Sequence, residues 1–329
     1  MKKLFSLILQ AVLLTACAAS PTPGLSGGIV TFLTPTMTGL RASSMTNVPV
    51  VTTLPTGTAG PAATPLPAQD LFAVIGDFGF GGQAEADVAA LVHSWMPDFI
   101  ITVGDDNYPS GAADTIDDHI GQYYHDYISP YTGKNGAGAD MNRFFPTLGN
   151  HDWYTAGAKP YQDYFGLPGN ERYYDFVWGP VHFFALDSDE HEPDGVNQDS
   201  IQAKWLQQAL SVSTSRWNVV YFHHAPYSSG VTHGSTTWMR WPFAAWGADV
   251  VLSGHEHNYE RLVVDGIPYF VNGLGGGTIY PIVNSLPESQ FRYFANYGAM
   301  RVDASQAQMS FRFYDRTGTL IDSVQMTKP

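Results

Sequence analysis

Five short apolar stretches of the chain are each followed at once by side chains of the kind that bind metal ions. This feature limits the possible folds more than any other. The five segments that follow the apolar stretches are Gly76-Asp77-Phe78-Gly79, Gly104-Asp105-Asp106-Asn107-Tyr108, Gly149-Asn150-His151-Asp152, His223-His224-Ala225-Pro226 and Ser253-Gly254-His255-Glu256-His257. Binding sites of open α/β sheets form where the carboxyl ends of strands converge, and a neighbouring glycine lets the backbone turn and approach closely. The sequence therefore predicts one site assembled from five strand ends.

From about Asp70 onward, apolar runs alternate with stretches of helical period, which is typical of an α/β domain. The predicted strands cover residues 71–75, 99–103, 144–148, 173–177, 181–186, 217–222 and 250–252. The predicted helices cover residues 83–95, 114–127 and 198–210. Between Met300 and Met326 apolar and polar residues alternate around Asp315-Arg316-Thr317-Gly318, which predicts antiparallel strands joined by a turn. Together these patterns predict a mixed sheet system with helices outside.

The charge of the chain excludes one class of partner. The sequence has 30 acidic and 16 basic side chains and a formal net charge of -14. All the acidic residues lie at or after Asp70, where the net charge is -17. An excess of this size repels phosphate backbones, so we expect no nucleic-acid partner bound through a basic surface. The single cysteine, Cys17, excludes an intrachain disulfide framework and a cysteine-rich zinc site.

The first 17 residues have the composition of an export signal. Lys2 and Lys3 precede an apolar run that is too short to cross a bilayer as a permanent helix. The run ends in Leu14-Thr15-Ala16-Cys17, which resembles the lipobox of bacterial lipoproteins; the alternative is an ordinary signal peptide with an incidental cysteine. The resemblance implies a mature protein that begins at Cys17 and is exported and lipid-anchored to the bacterial cell envelope, on its outer face or in the periplasm.

Residues 18–69 have the composition of a linker. They include 8 prolines and 11 threonines, and Arg41 is their single charged residue. Because no periodic apolar pattern is present, we expect a disordered tether that reaches roughly 40 Å. The predicted organisation is therefore a signal peptide over 1–17, a linker over 18–69 and a catalytic domain over 70–329.

The order of the five motifs carries a family resemblance. Asp-x-Gly, Gly-Asp-x-x-Tyr, Gly-Asn-His-Asp, Val-x-x-His and Gly-His-x-His occur in this order over roughly residues 70–275. The set resembles the calcineurin-like metallophosphoesterases and, within them, the purple acid phosphatases, because Tyr108 stands where most members of the superfamily lack a tyrosine. The resemblance implies an α/β fold in which two mixed β-sheets form a sandwich flanked by helices.

The motifs contain only oxygen and imidazole donors, which suit iron, manganese or zinc, and two ions could be held. The resemblance implies Fe(III) and a second divalent metal, which could be iron, zinc or manganese. It assigns Asp77, Tyr108 and His257 to Fe(III), Asp105 as the bridging ligand, and Asn150, His223 and His255 to the divalent ion. Tyr108 could instead be a core aromatic residue.

The spacing of the paired histidines suggests which of them face the site. Alternation along a strand lets only one of His223 and His224 face it, and the Val-x-x-His spacing selects His223. In an extended strand end, His255 and His257 would point to one side and Glu256 to the other.

Two more histidines have roles that the resemblance implies. His151 would meet the substrate phosphate without ligating the metals strongly, and His233 would contact the substrate from a loop. Asp152 could orient a neighbour or bind nothing.

The predicted function is an extracytoplasmic, lipid-anchored acid phosphatase that hydrolyses phosphomonoesters by attack of a metal-bound hydroxide. Its partner would be a small phosphorylated substrate, and its membrane contact would be the lipid at Cys17. The alternatives are a phosphodiesterase of the same superfamily and a non-enzymatic surface lipoprotein that captures phosphate or metal.

Overall fold

The computed structural model describes residues 69–328 of the chain. The predicted signal peptide, Cys17 and nearly all of the predicted linker lie outside the described residues. Within the described part, no helix combines the length and the apolar character needed to cross a membrane.

Two mixed β-sheets form the centre of the described region. Their strands are β1 (Asp70–Ile75), β2 (Phe99–Thr102), β3 (Phe144–Phe145), β4 (Tyr174–Trp178), β5 (Val181–Ala185), β6 (Trp217–His224), β7 (Val250–Gly254), β8 (Tyr259–Val264), β9 (Ile267–Asn272), β10 (Ser289–Tyr293), β11 (Gly298–Ala304), β12 (Gln308–Asp315) and β13 (Leu320–Thr327). The first sheet has the order β13-β12-β11-β1-β2-β3, and the second has the order β10-β8-β9-β7-β6-β5-β4.

Helices lie in the connections between the strands. The α-helices are α1 (Gln83–Trp95), α2 (Gln122–Tyr124), α3 (Asn150–Trp153), α4 (Lys159–Tyr164), α5 (Ile201–Val212) and α6 (Phe243–Trp246). A π-helical turn covers Asp117–Gly121, and 3-10 turns cover His125–Tyr127, Ala156–Ala158 and Thr237–Met239.

Aromatic side chains fill the space between the two sheets. Phe72 of β1 lies 5.1 Å from Phe99 of β2 and 5.1 Å from Phe183 of β5, measured between ring centroids. All three rings are fully buried. Each contributes about 1.5–3 kcal/mol of hydrophobic stabilisation relative to an exposed ring.

Successive side chains of the second sheet point to opposite faces, so the sheet also packs against helices on its outer face. Phe183 belongs to the core between the sheets, whereas the adjacent Phe184 belongs to a second cluster on the other face. That cluster includes Leu206 and Leu210 of α5 and Phe243 of α6. The predicted sandwich of two mixed sheets with helices outside is therefore observed.

The parallel strands determine where a site can form. In the first sheet β1 is parallel to β2, and β2 is parallel to β3. In the second sheet β5, β6, β7 and β9 run parallel to one another. Three of the five motifs follow β1, β2 and β3, and the other two begin within the last residues of β6 and β7, so the polar segments gather at the carboxyl ends of both sheets.

Three predicted elements differ most from the observed ones. The strand predicted over 144–148 covers only Phe144–Phe145, because Pro146 has no N–H to donate to the ladder. The helix predicted over 114–127 starts at Asp117 and is broken into π, α and 3-10 turns. The helix predicted from Gln198 begins at Ile201, after Ser200 caps its first turn by accepting the N–H of Ala203.

Candidate metal centre

Two buried carboxylates and one buried histidine form the centre of the cluster. Ligand atoms of Asp77, Asp105 and His223 all lie within 4.8 Å of one another. Asp77 follows β1, Asp105 follows β2, and His223 lies near the end of β6, so both sheets contribute to the group. A buried group of this composition holds negative charge that water cannot reach, and a cation would neutralise it.

The hydroxyl of Tyr108 lies among the same groups. It donates a hydrogen bond to Asp105 Oδ2 at 2.8 Å and lies 3.5 Å from Asp77 Oδ1. It is also 3.1 Å from His257 Nε2. The side chain is therefore not simply a core aromatic residue, since its oxygen faces the polar cluster.

Backbone carbonyls fix which nitrogen of each histidine faces the cluster. His223 Nδ1 lies 2.9 Å from the carbonyl of Val103, and His257 Nδ1 lies 2.8 Å from the carbonyl of Thr278. A carbonyl only accepts hydrogen bonds, so each Nδ1 carries the proton in the neutral ring. The lone pair on each Nε2 then points into the cluster, as a metal-binding imidazole requires.

Asn150 and His255 complete the group on the side of His223. Asn150 Oδ1 lies 3.2 Å from His223 Nε2, and the Asn150 amide donates to the hydroxyl of Tyr154 at 3.1 Å. His255 Nδ1 lies 3.1 Å from His223 Nε2. The structure therefore brings together all seven side chains that were predicted as metal ligands.

His151 lies at the edge of this group. Its Nδ1 is 2.7 Å from the carbonyl of Pro109, and its Nε2 is 4.0 Å from Asp105 Oδ2. The corresponding distance from His223 Nε2 to Asp105 is shorter, at 3.4 Å. His151 is also partly exposed, unlike the buried His223, so it lies on the solvent side of the cluster, which we call the mouth of the site.

His233 reaches the site from the loop after β6. Its ring centroid lies 4.1 Å from that of His255, and its side chain is exposed. In the adjacent pair, His223 faces Asp105, whereas His224 Nδ1 lies 3.0 Å from the hydroxyl of Ser188. The ring of His224 nevertheless also packs against His255, with ring centroids 4.4 Å apart.

The predicted extended geometry of His255 and His257 is wrong. Strand β7 ends at Gly254, and His255 has a φ of 71°. Asp77 and Asp105 also have left-handed backbones, with φ of 55° and 53°. Left-handed residues other than glycine cost roughly 1–3 kcal/mol each and persist where the surrounding structure holds them. Such backbone strain is typical of functional sites, and here it occurs at three of the predicted ligands.

The close approach of the strand ends requires glycine. Gly104 has a φ of 84°, and a Cβ atom at this position would lie 2.7 Å from the Cβ of His223. A side chain at Gly104 would therefore push His223 away from Asp105. The sequence expectation that glycine allows close approach is confirmed here.

The charges of the cluster change the pKa values of its members. Burial, together with the charges of Asp105 and Asp77, raises the pKa of Tyr108 well above its usual value. Burial and the neighbouring histidines lower the pKa of His255 well below normal. For His223, burial lowers the pKa, but the carboxylates of Asp105 and Asp77 outweigh it and the net shift is upward. A cation would favour the phenolate and the neutral imidazoles, so the donor set fits metal binding.

Comparison with known proteins identifies the family. A model described as calcineurin-like phosphoesterase matches residues 71–259, more than half of the chain. The chain belongs to the calcineurin-like phosphoesterase family. Within this family it is similar to purple acid phosphatase 3 of Arabidopsis thaliana, with 24% identity over 297 residues that cover 76% of this chain and 75% of that protein.

A further relative supports the same placement, and a solved structure shares the fold. Tartrate-resistant acid phosphatase type 5 of Homo sapiens is 24% identical over 215 residues, which cover 57% of this chain and 64% of that protein. The structure of purple acid phosphatase PPD1 from yellow lupin seeds matches with a TM-score of 0.63 at 16% identity, over 80% of this chain and 54% of that one. The chain thus spans less than two thirds of either protein's length. The lupin structure shows the shared fold, and the family model with the purple acid phosphatase relatives supports a metal-dependent phosphoester hydrolase.

Sequence reasoning missed several residues that support the centre of this phosphoesterase. Asp152, left undecided by the sequence, accepts backbone N–H groups of Gly149 at 2.8 Å and of Asp106 and Asn107 at 3.2 Å. It ties the loop after β2 to the loop after β3, and so holds the residues beside Asp105 and Asn150 in place. Burial and the charge of Asp105 raise its pKa to about 7.

The run of glycines after β9 also had no role in the sequence analysis. Gly277 donates its N–H to the carbonyl of Asp77 at 2.8 Å, and a Cβ atom there would lie 2.5 Å from the His257 ring. Tyr280, three residues later, stacks on His257 with ring centroids 4.3 Å apart. The three consecutive glycines were the only sequence signal for this contact.

Proposed function

We propose that the chain is an acid phosphatase that hydrolyses phosphomonoesters at a site holding two metal ions. The observation that carries this proposal is the convergence of the His223 and His257 Nε2 atoms with the carboxylates of Asp77 and Asp105 and the hydroxyl of Tyr108. The purple acid phosphatase relatives support the same assignment.

The division of ligands follows the family motifs. Asp77, Tyr108 and His257 would hold Fe(III), Asp105 would bridge, and Asn150, His223 and His255 would hold a divalent iron, zinc or manganese ion. When bound, the two ions would supply positive charge for an anionic substrate. They would also lower the pKa of water enough for it to act as the nucleophile near neutral pH.

The chain itself provides groups for the substrate and the leaving group. His151 donates its Nδ1 proton to the carbonyl of Pro109, which leaves Nε2 at the mouth of the site. When the ring is also protonated at Nε2, that proton would bond a phosphoryl oxygen or pass to the departing alkoxide, which leaves the neutral ring with its proton on Nδ1. His233 lies beside His255 on an exposed loop and would provide the second contact from the substrate side.

Charge favours a small substrate with one phosphate. The domain from Asp70 onward carries a net charge of -17, so approach of a phosphate depends on the positive charge held inside the cluster. A small phosphorylated molecule can reach the partly exposed His151, whereas a polyanion would be repelled by the rest of the surface.

The decisive experiment measures metal content and turnover on the same preparations. We expect about two metal ions per chain and faster hydrolysis of p-nitrophenyl phosphate than of its bis-ester. His223→Ala should lose metal and activity, while His182→Ala, which removes a histidine paired with Asp175 outside the site, should keep both. Faster hydrolysis of the bis-ester would favour the phosphodiesterase alternative, and bound metal and phosphate without turnover would favour a capture protein.

We also propose that Cys17 is acylated and attaches the protein to the bacterial cell envelope. The support is the string Leu14-Thr15-Ala16-Cys17 and the proline- and threonine-rich segment that follows it. Cys17→Ala, expressed in a bacterium, should move the protein from the membrane fraction to the soluble or uncleaved fraction. Unchanged fractionation, with no lipid mass on the mature N-terminus, would contradict the proposal.

A further inference from the structure

Four aromatic rings form a continuous series along one side of the candidate metal centre. Phe80 stacks on Tyr108 with ring centroids 3.8 Å apart and an interplanar angle of 20°. Tyr108 lies 4.3 Å from His151, and His151 lies 4.7 Å from Tyr154. The two inner rings belong to the proposed chemistry, whereas no motif assigns a role to Phe80 or Tyr154.

The two outer rings are exposed, although aromatic side chains of this size are usually buried. Phe80 is 42% exposed and Tyr154 is 60% exposed. Phe80 is nevertheless held by its stacking on Tyr108, and the Tyr154 hydroxyl accepts a hydrogen bond from Asn150. Exposed apolar surface that is fixed next to a reactive centre is typical of a ligand-binding surface.

The two outer rings lie on the side of the site where the leaving group of the substrate would be. His151 is the residue that would protonate the departing oxygen, so the leaving group must lie beside it during the reaction. Tyr154 contacts the ring of His151 directly, and Phe80 contacts the next ring in the series. With His151 in this role, the organic part of the substrate would leave beside these aromatic rings.

We propose that Phe80 and Tyr154 form a leaving-group subsite that selects monoesters of planar aromatic alcohols over those of aliphatic alcohols. The inference rests on the proposed function, since it assigns the leaving group to the side of His151. Stacking of a planar ring on an aromatic face stabilises binding beyond the burial of apolar area alone.

The test uses hydrolysis-resistant phosphonates and the metal-loaded protein. Dissociation constants of methyl-, cyclohexylmethyl- and benzylphosphonate are measured by titration calorimetry, so the readout does not depend on turnover. Benzylphosphonate should bind about 10-fold more tightly than methylphosphonate and about 3-fold more tightly than the cyclohexylmethyl compound. Phe80→Leu and Tyr154→Leu should reduce the advantage of the benzyl compound over the cyclohexylmethyl compound, because leucine keeps apolar area but has no ring.

Phe294→Leu is the matched control, because Phe294 is also 42% exposed and no ring contact within residues 69–328 joins it to a site residue. This variant should keep the full preference for the benzyl compound. Equal binding of methyl- and benzylphosphonate, or of the cyclohexylmethyl and benzyl compounds, would overturn the subsite while leaving the proposed phosphatase intact. Failure of all three phosphonates to bind would contradict the proposed function, and the subsite with it.

Discussion

The side chain of Glu256 accepts a hydrogen bond from the backbone N–H of His233 at 2.5 Å. The same oxygen accepts the N–H of Gly234 at 2.6 Å, and the carboxylate is fully buried. Glu256 lies between the predicted ligands His255 and His257. One turn of the chain therefore carries two predicted metal ligands and also holds the loop that brings His233 to the substrate side.

We expect Glu256→Ala to lower kcat/KM about 10-fold while both metals stay bound. The reason is that two backbone N–H groups lose their acceptor, and a misplaced substrate-side group costs activity without removing a ligand. Phosphatase kinetics and metal analysis of the same preparations would measure both quantities.

Glu256→Gln is the conservative control, because its amide oxygen can still accept both hydrogen bonds, and it should retain most of the activity. If Glu256 acts through His233, Glu256→Ala should cost much less in a His233→Ala background than in the unmutated protein. Full additivity of the two losses would show that Glu256 acts elsewhere.

Asp105→Asn and His151→Ala should separate metal binding from catalysis. Asp105 lies at the centre of the cluster, so loss of its charge should lower metal content and activity together. His151 lies at the mouth, and its replacement should keep both metals while kcat falls about 100-fold, as for a lost acid-base or charge-stabilising group. Metal stoichiometry and rates of both variants should be measured side by side. Equal metal loss in the two variants would make His151 a ligand.

Tyr108→Phe should remove a broad visible absorption band from the metal-loaded protein. The band is expected because a phenolate bound to Fe(III) absorbs by charge transfer, and the Tyr108 oxygen lies among the carboxylates. Tyr131→Phe is a matched control, since Tyr131 also donates to an aspartate, Asp117, at 2.6 Å, but outside the site. An iron-free, colourless and fully active preparation would contradict the assignment of Tyr108.

The sequence indicated which side chains would lie close together, because each follows an apolar run. A polar residue at the end of a parallel strand lies at the carboxyl edge of the sheet. Asp77, Asp105 and His223 lie close together at this edge. The strand end at His255 was predicted wrongly because alternation holds only in extended backbone, and its φ is positive. The strand at Phe144 was predicted too long because Pro146 cannot donate to the ladder.

The supporting residues could not be predicted in this way, since their partners are distant in sequence. Asp152 accepts the N–H of Asp106 across 46 positions, and Glu256 accepts that of His233 across 23. Strands β8, β9 and β10 were also missed. The polar residues at Glu260 and Asn272 interrupt their apolar pattern, although both side chains are buried in the fold. Such contacts depend on which loops the two sheets bring together.

A buried glutamate outside the candidate centre should make stability depend on pH. Glu85, in the first turn of α1, is fully buried, and its Oε1 has no hydrogen-bond partner within the described residues. Burial raises the pKa of Glu85 well above its usual value, although the N–H groups of Gly81 and Phe80 act in the opposite direction. The folded protein therefore keeps the proton on Glu85 at pH values where the unfolded chain has released it.

The folded state binds the Glu85 proton more tightly than the unfolded chain does. This difference stabilises the folded protein fully below the unfolded pKa of about 4.3, and the stabilisation is lost as the pH rises through the folded pKa. Glu85→Gln cannot ionise and should remove this loss, so the variant should gain stability relative to the unmutated protein as the pH rises from 5 to 8. Urea midpoints of both proteins, measured at pH 5 and pH 8 after metal removal, provide the comparison. Parallel changes in the two midpoints would show that Glu85 does not titrate differently in the folded and unfolded states.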